Sequence, residues 1–346
     1  MLDAGQRLGS FEHAGRAVAY ATVGDGPPLL CDLGRLHHLD VFWRYPPYHR
    51  LVEALAREFT VVRLDRPGCG LSDRTVVDFS LEAELALFDR LVDHLELRAT
   101  AVLAAASSAP IAVATAALRP GRVSRLATFG AWAGTPAHRA GYADALATLL
   151  QTQFTVATEV LAQSAAAGCP PAAARWLAAA YRESASGTVV AEWLRTTLEL
   201  DIRPLLAQVR CPTLVMHRRD SPQAALVRSG RDVAAGIRDA VLLPLEGTES
   251  LIWEGDVEPL LDALLSFLAP GVVTARAPAP AGGLTARERE VAELVARGLT
   301  NADIGERLGI GPRTVESHLE RIRSRLGLLS RADLAAWAAR AGLTDL

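Results

Sequence analysis

Ser107 stands in Ala105-Ala106-Ser107-Ser108-Ala109, a serine among small residues directly after an apolar run at 100–106. Such a hydroxyl can serve as an acyl-transfer nucleophile, because small neighbours permit the tight turn that would expose it. It would need a base. Among the eight histidines, His37, His38 and His217 could in principle play that part. Isolated histidines more often pack or face solvent, so these residues alone leave serine chemistry and plain packing both open. The four cysteines, Cys31, Cys69, Cys169 and Cys211, are widely spaced with no C-x-x-C pair, which argues against a disulfide framework or a zinc site and suits a reducing cytoplasm. No metal ion and no cofactor is expected.

The elements that must position such groups follow from the apolar patterning. With 346 residues, half of them hydrophobic, the chain has material for two domains. Its 36 cations, all arginine, against 39 acids give a net charge of −3, so any nucleic-acid contact must come from a local surface. No run of 18 apolar residues occurs, and Met1-Leu2-Asp3 does not open a basic stretch followed by an apolar run. Neither a membrane span nor a signal peptide is therefore expected, and the chain reads as soluble and cytoplasmic.

The Pro-, Gly- and Ala-rich segment 270–283 reads as a linker between a domain over 1–269 and a second over 284–346. Before it, apolar runs at 27–33, 60–65, 100–106, 123–129, 212–217 and 240–245 alternate with helical stretches. This predicts an α/β fold with a mostly parallel sheet covered on both faces. The alanine-rich stretch from about 134 to 206 has no strand candidate and reads as a helical lid. After the linker, four short helices are expected. Thr285 with Glu288 forms a capping-box pattern, and Gly298 ends the first helix. Thr300 caps the second over 301–308, stopped by Gly309. Pro312 starts a third, with Val315, Leu319, Ile322 and Leu326 on one face and Arg313, Glu316, Ser317, Glu320 and Arg321 on the other. Ser330 and Asp333 open a fourth carrying Leu334 and Trp337.

The string LTAREREVAELVARGLTNADIGERLGIGPRTVESHLERIRSRLGLLSRADL closely resembles the LuxR-type (GerE-like) helix-turn-helix family across roughly the last 60 residues. The resemblance implies an all-α module whose third helix enters the major groove of double-stranded DNA, with Glu316, Ser317 and Glu320 as candidate base readers. Arg313, Arg321, Arg323 and Arg325, with the helix amide ends near Thr300 and Gly311, are candidate phosphate contacts, and Thr314 is a further candidate DNA contact. One copy should bind weakly, so a homodimer is expected, with Leu334, Trp337 and Ala338 as its pairing face. Core packing is the alternative reading of Trp337.

Residues from about 16 to 269 resemble the α/β-hydrolase fold of the kind joined to such modules in bacterial regulators, through LDRPGCGLSD at 64–73, LRPGRVSRLATFG at 118–130, PTLVMHRRD at 212–220 and EGTESLIWEGD at 246–256. Hydrolysis on this fold uses a serine on a strand-to-helix turn, a histidine and a carboxylate. By register the resemblance puts these roles on Ala106, Ser250 and Ser221, with Asp220 one residue early. The expected catalytic set is therefore empty, unless the frame is off by one and Ser107 is the nucleophile. What remains is a ligand cavity at the carboxyl ends of the strands, with Gly34, Arg35, Ala106, Ser107, Trp132, Ser221, Ser250 and Trp253 as candidate contacts. Arg35 would suit an anion if it points inward. Of the tryptophans, Trp43, Trp132, Trp176, Trp193 and Trp253 belong to this domain, and several could line the cavity. The chain thus reads as a regulator whose inactive hydrolase-like domain senses a small molecule. The rivals are a domain serving only as a dimerisation or partner scaffold, and an active esterase using Ser107.

Overall fold

The computed structural model describes residues 5–75, 78–134, 140–269, 286–326 and 331–340, with backbone alone at 140–143, 224–227, 286, 324–326, 332, 333, 336, 339 and 340. The chain divides into two compact units, Met1–Val272 and Val273–Leu346. That division falls within the expected linker, which itself lies outside the described residues, as do Thr285 and Ser330.

The first unit is built on eight strands: β1 (Arg7–His13), β2 (Arg16–Val23), β3 (Pro28–Asp32), β4 (Thr60–Leu64), β5 (Thr100–Ala105), β6 (Val123–Phe129), β7 (Thr213–Arg218) and β8 (Val241–Leu245). Their order is β1-β2-β4-β3-β5-β6-β7-β8, the β1–β2 and β2–β4 pairs being antiparallel and every other pair parallel. Alternation along the strands explains why the runs are apolar throughout: Leu29, Val61, Leu103 and Met216 belong to one core, while Leu30, Val62, Val102 and Val215 belong to the other. The first core is backed by α2 (Pro46–Ala56) and α10 (Glu258–Leu268), the second by α3 (Leu81–His94) and α4 (Ala109–Leu118). The β1–β2 hairpin was not foreseen. It turns on Ala14 (φ 51°) and Gly15 (φ 75°), a primed turn made without the Asn-Gly or Asp-Gly pair that usually announces one.

Between β6 and β7 the alanine-rich stretch forms α5 (Ala140–Thr152), α6 (Phe154–Ala165), α7 (Pro171–Ser184) and α8 (Gly187–Glu199), followed by a 3-10 segment at Arg203–Gln208. Leu146, Leu150, Leu161, Val190 and Trp193 form a core of this layer, joined from below by Leu36, Cys69 and Phe79. Residues 135–139 of the expected lid lie outside the described residues.

The second unit contains α11 (Ala286–Ala296), α12 (Asn301–Leu308), α13 (Pro312–Leu326) and α14 (Arg331–Arg340). Thr300 caps α12 through a reciprocal box with Asp303, and Gly309 ends it at φ 65° in the left-handed region where a side chain is costly. Val291, Val295, Ile304, Val315, Leu319, Ile322 and Leu334 form its core. Among the described residues, no helix is long and apolar enough to cross a membrane.

Candidate functional site

The turn after β5 carries the strain a nucleophile elbow would have. Ala106 opens a 3-10 turn, Ala106–Ser108, leading into α4, and it is exposed with φ 50°, a value uncommon outside glycine that costs on the order of 1–3 kcal/mol. Ser107, the rival nucleophile, is not among the positive-φ residues described. Its Oγ instead accepts the Arg35 backbone N–H at 3.3 Å. Ser108 is wholly buried and donates to Asp32 Oδ1 at 2.6 Å. The apex of the elbow is thus a methyl group, with one hydroxyl beside it held by a loop amide and a second turned beneath the sheet.

The remaining candidates separate. A cavity of about 580 Å³ opens beneath the helical layer, and Gly34, Arg35, Ala106, Ser107, Trp132, Ser250 and Trp253 all line it. Ser221 does not: its Oγ accepts the Gln223 backbone N–H at 3.3 Å in a local turn, and Gln223 reaches the cavity in its place. Among the described residues, Ser250 Oγ is buried without a partner. Its loop is clamped by Arg218, 2% exposed, which donates to the carbonyls of Glu246, Glu254 and Asp256 at 2.8, 3.0 and 2.9 Å. Sequence reasoning missed this arginine, whose role depends on carbonyls 28 to 38 residues away.

Arg35 also departs from expectation. Its side chain is 1% exposed and its guanidinium donates to Glu84 Oε1 at 3.0 Å, to Thr197 Oγ1 at 3.0 Å and to the Phe79 carbonyl at 2.7 Å. Glu84 in turn accepts from Arg66 at 2.8 Å, and Arg66 reaches Asp32 at 2.6 Å. The four charges neutralise one another, so Arg35 is committed to the fold and is not a free anion receptor. It ties the loop after β3 to Thr197 on α8.

No histidine lines the cavity among the described residues. Both ring nitrogens of His37 are engaged, Nδ1 with Asp65 at 2.8 Å and Nε2 with the Tyr48 hydroxyl at 3.0 Å. His217 is buried, and its Nδ1 has no partner among the described residues. Burial first, then the positive charges of Arg231 and Arg219, hold its imidazole below the ordinary value of 6.5. The folded protein therefore takes up this proton later than the unfolded chain as pH falls. Its effect is absent well above 6.5, and stability is lost on acidification below it. Urea midpoints measured between about pH 7 and about pH 5.5 should fall less for His217→Gln than for the parent chain. Equal slopes would remove this role.

Three of the five tryptophans line the cavity: Trp132, Trp193 and Trp253. The indole N–H groups of Trp193 and Trp253 have no partner among the described residues. Trp43 and Trp176 lie elsewhere in the packing. Arg63 sits over the Trp43 ring at 4.7 Å, and Trp176 stacks on Tyr45 at 3.8 Å.

In the second unit, α13 separates as its spacing predicted. Val315, Leu319 and Ile322 are buried, while Arg313, Thr314, Glu316, Ser317, Glu320 and Arg321 are exposed and Arg323 is half-buried. The side chain of Arg325 is not described. Glu316 is not free: it accepts from Asn301 Nδ2 at 2.6 Å and from Arg323 at 3.3 Å, and Asn301 in turn accepts from Arg331 at 2.7 Å. Thr300 is spent on the cap, its hydroxyl and amide both bonded to the Asp303 carboxylate, so it offers no free donor there. Leu334 and Ala338 are fully buried in their own unit, which withdraws them as a pairing surface. Only Trp337 of the three keeps exposed area.

A strand-to-helix elbow beneath a helical lid, on a sheet of this order, defines a hydrolase-type α/β domain. Residues 27–222, more than half of the chain, match the family model for the alpha/beta hydrolase fold, and the chain belongs to that family. Residues 283–338 match the model for bacterial regulatory proteins of the luxR family, so the second unit is a helix-turn-helix domain of that type. An HTH-type transcriptional regulator of Mycobacterium tuberculosis is 51% identical over 61 residues, 18% of this chain and 7% of that protein. The oxygen regulatory protein NreC of Staphylococcus aureus is 36% identical over 72 residues, 21% of this chain and 33% of that protein. The chain therefore spans about 7% of the length of the first of these relatives. Among solved structures, the enol-lactonase from Burkholderia xenovorans LB400 superposes with a TM-score of 0.66 at 18% identity, covering 75% of this chain and 99% of that one. A hydrolase from Pseudomonas aeruginosa PA01 gives 0.63 at 23%, covering 76% and 98%. At such identities the likeness concerns the fold alone.

Proposed function

We propose that this protein is a sequence-specific transcriptional regulator in which an α/β-hydrolase domain without acyl-transfer chemistry receives a small molecule and biases a luxR-type module on DNA. The observation that carries the reading is Ala106 at the strained apex of the elbow. A methyl group there has no oxygen to attack with, and the turn leads into a cavity lined by no described imidazole. The cavity itself lies within the usual range for small-molecule sites, about 300–1,000 Å³. For the ligand to regulate, it must bind one arrangement of the domains or protomers better than another, and a tenfold change in DNA affinity needs about 1.4 kcal/mol of such preference.

On the DNA side, the exposed face of α13 is the element proposed to enter the major groove as a dimer reads two half-sites. The pairing surface then lies outside Leu334 and Ala338. A cytoplasmic location fits this work.

With 4-nitrophenyl acetate as a chromogenic ester, the parent chain and Ser107→Ala are expected to release product at the same background rate. Turnover lost in Ser107→Ala would make the domain an esterase and overturn the receptor reading.

A further inference from the structure

The cavity's lining joins buried apolar residues to exposed charged ones, and the distribution of charge around it constrains what can enter. Trp193, Trp253, Leu177 and Leu251 are buried and line it, and Phe42 meets Trp253 edge-on at 6.1 Å. A second part of the lining lies where the chain after β6 meets the segment after the lid and α9 (Ala224–Gly236). Ser229 accepts the Ala133 amide there at 3.0 Å, and Gly134 bridges to Asp201. From that part Gln223, Arg228 and Asp232 line the cavity, the two charged residues being exposed. Among the described residues no ion pair involves Arg228 or Asp232, although they stand four apart on one helix. The cavity's other arginines are committed, Arg35 to Glu84 and Arg203 to Asp201.

We infer that the cavity takes a monopolar amphiphile, an apolar body inserted against Trp193 and Trp253 with a single polar head held at the Gln223–Arg228–Asp232 wall. This deepens the receptor reading and rests on it. Apart from Gln223, Arg228 and Asp232, the described lining offers the hydroxyls of Ser107 and Ser250 and the unpartnered indole N–H groups of Trp193 and Trp253, with no uncommitted charge. A charged group driven there would be desolvated without compensation, whereas the same group at Arg228 stays partly in water beside an opposite charge. That part of the lining thus selects against a second charged terminus.

The test uses N-phenyl-1-naphthylamine, an uncharged probe that fluoresces on entering an apolar site, displaced by decanoate, decan-1-ol and decanedioate. The probe is expected to bind once per chain. Decanoate and decan-1-ol should displace it, and decanedioate should be at least tenfold weaker than decanoate. Arg228→Ala, an exposed helix position, should weaken decanoate at least fivefold and decan-1-ol by less than about twofold. Ala106→Trp, which fills the cavity beside the elbow, should abolish probe binding while circular dichroism shows a folded chain. Decanedioate as effective as decanoate, or decanoate indifferent to Arg228→Ala, would overturn the inferred orientation while probe binding left the receptor reading standing. Failure of the parent chain to bind the probe and all three competitors, followed by tryptophan fluorescence, would overturn both.

Discussion

Glu84→Ala is expected to destabilise the hydrolase unit by about 3–5 kcal/mol, the usual cost of removing one partner from a buried ion network. The carboxylate is 5% exposed and serves two guanidinium groups at once, accepting from Arg35 Nε at 3.0 Å and from Arg66 Nε at 2.8 Å on both oxygens. Arg66 would keep Asp32, but Arg35, 1% exposed, would keep only a hydroxyl and a carbonyl for its charge. At about 2–4 °C per kcal/mol for a unit of this size, the thermal midpoint should fall by roughly 6–20 °C. Glu84→Gln, which retains an acceptor, should lose less. In a double-mutant cycle, Arg35→Met should cost less on the Glu84→Ala background than alone, because the buried charge has already lost its counterion. A loss below about 1 kcal/mol for Glu84→Ala would show that the network contributes little beyond packing.

The same network marks the boundary of what the sequence discloses. Strands β3 to β8 were legible because six apolar runs separated by helical stretches fit a parallel sheet whose inner strands are buried on both faces, although β8 at its edge is buried only at Leu245. Hairpin β1–β2 was not, since Ala14-Gly15 makes a primed turn without its usual residues and Leu8 remains 58% exposed on the outer strand. The position of Ala106 was legible because an elbow has a local pattern of small residues and a proline at fixed offsets. The destination of Arg35 was not, because Phe79, Glu84 and Thr197 lie 44 to 162 residues away in the chain. Ser221 lies outside the cavity lining, its hydroxyl accepting the Gln223 amide two residues on, a local turn that the register of the strand does not disclose. Leu334 and Ala338 illustrate a genuine degeneracy: a spacing of four places two side chains on one helix face whether that face meets its own core or another protomer. Here it meets the core.

On DNA, the double replacement Arg313→Ala with Arg321→Ala is expected to weaken binding to selected operator and random duplex alike, by about 30-fold at 0.15 M salt. The figure follows from a slope of about −0.9 in log affinity per phosphate neutralised, referred to 1 M salt, and implies a fall of about 1.8 in the salt slope itself. Both arginines are exposed on the polar face of α13, opposite Val315, Leu319 and Ile322. Among the described residues Arg321 bonds only to the Ser317 carbonyl one turn back, at 3.1 Å, which leaves its other donors for phosphate. The acids of that face should act differently, because a carboxylate gains nothing from the backbone and adds repulsion. Glu320→Ala should change which sequences are preferred, through loss of an acceptor suited to the cytosine amino group, while raising affinity for random duplex. Glu316→Ala should do both less cleanly, since it also releases Asn301 and Arg323. The double arginine variant retaining the parent's salt slope would mean that neither side chain meets a phosphate, and α13 would have to be docked by another face.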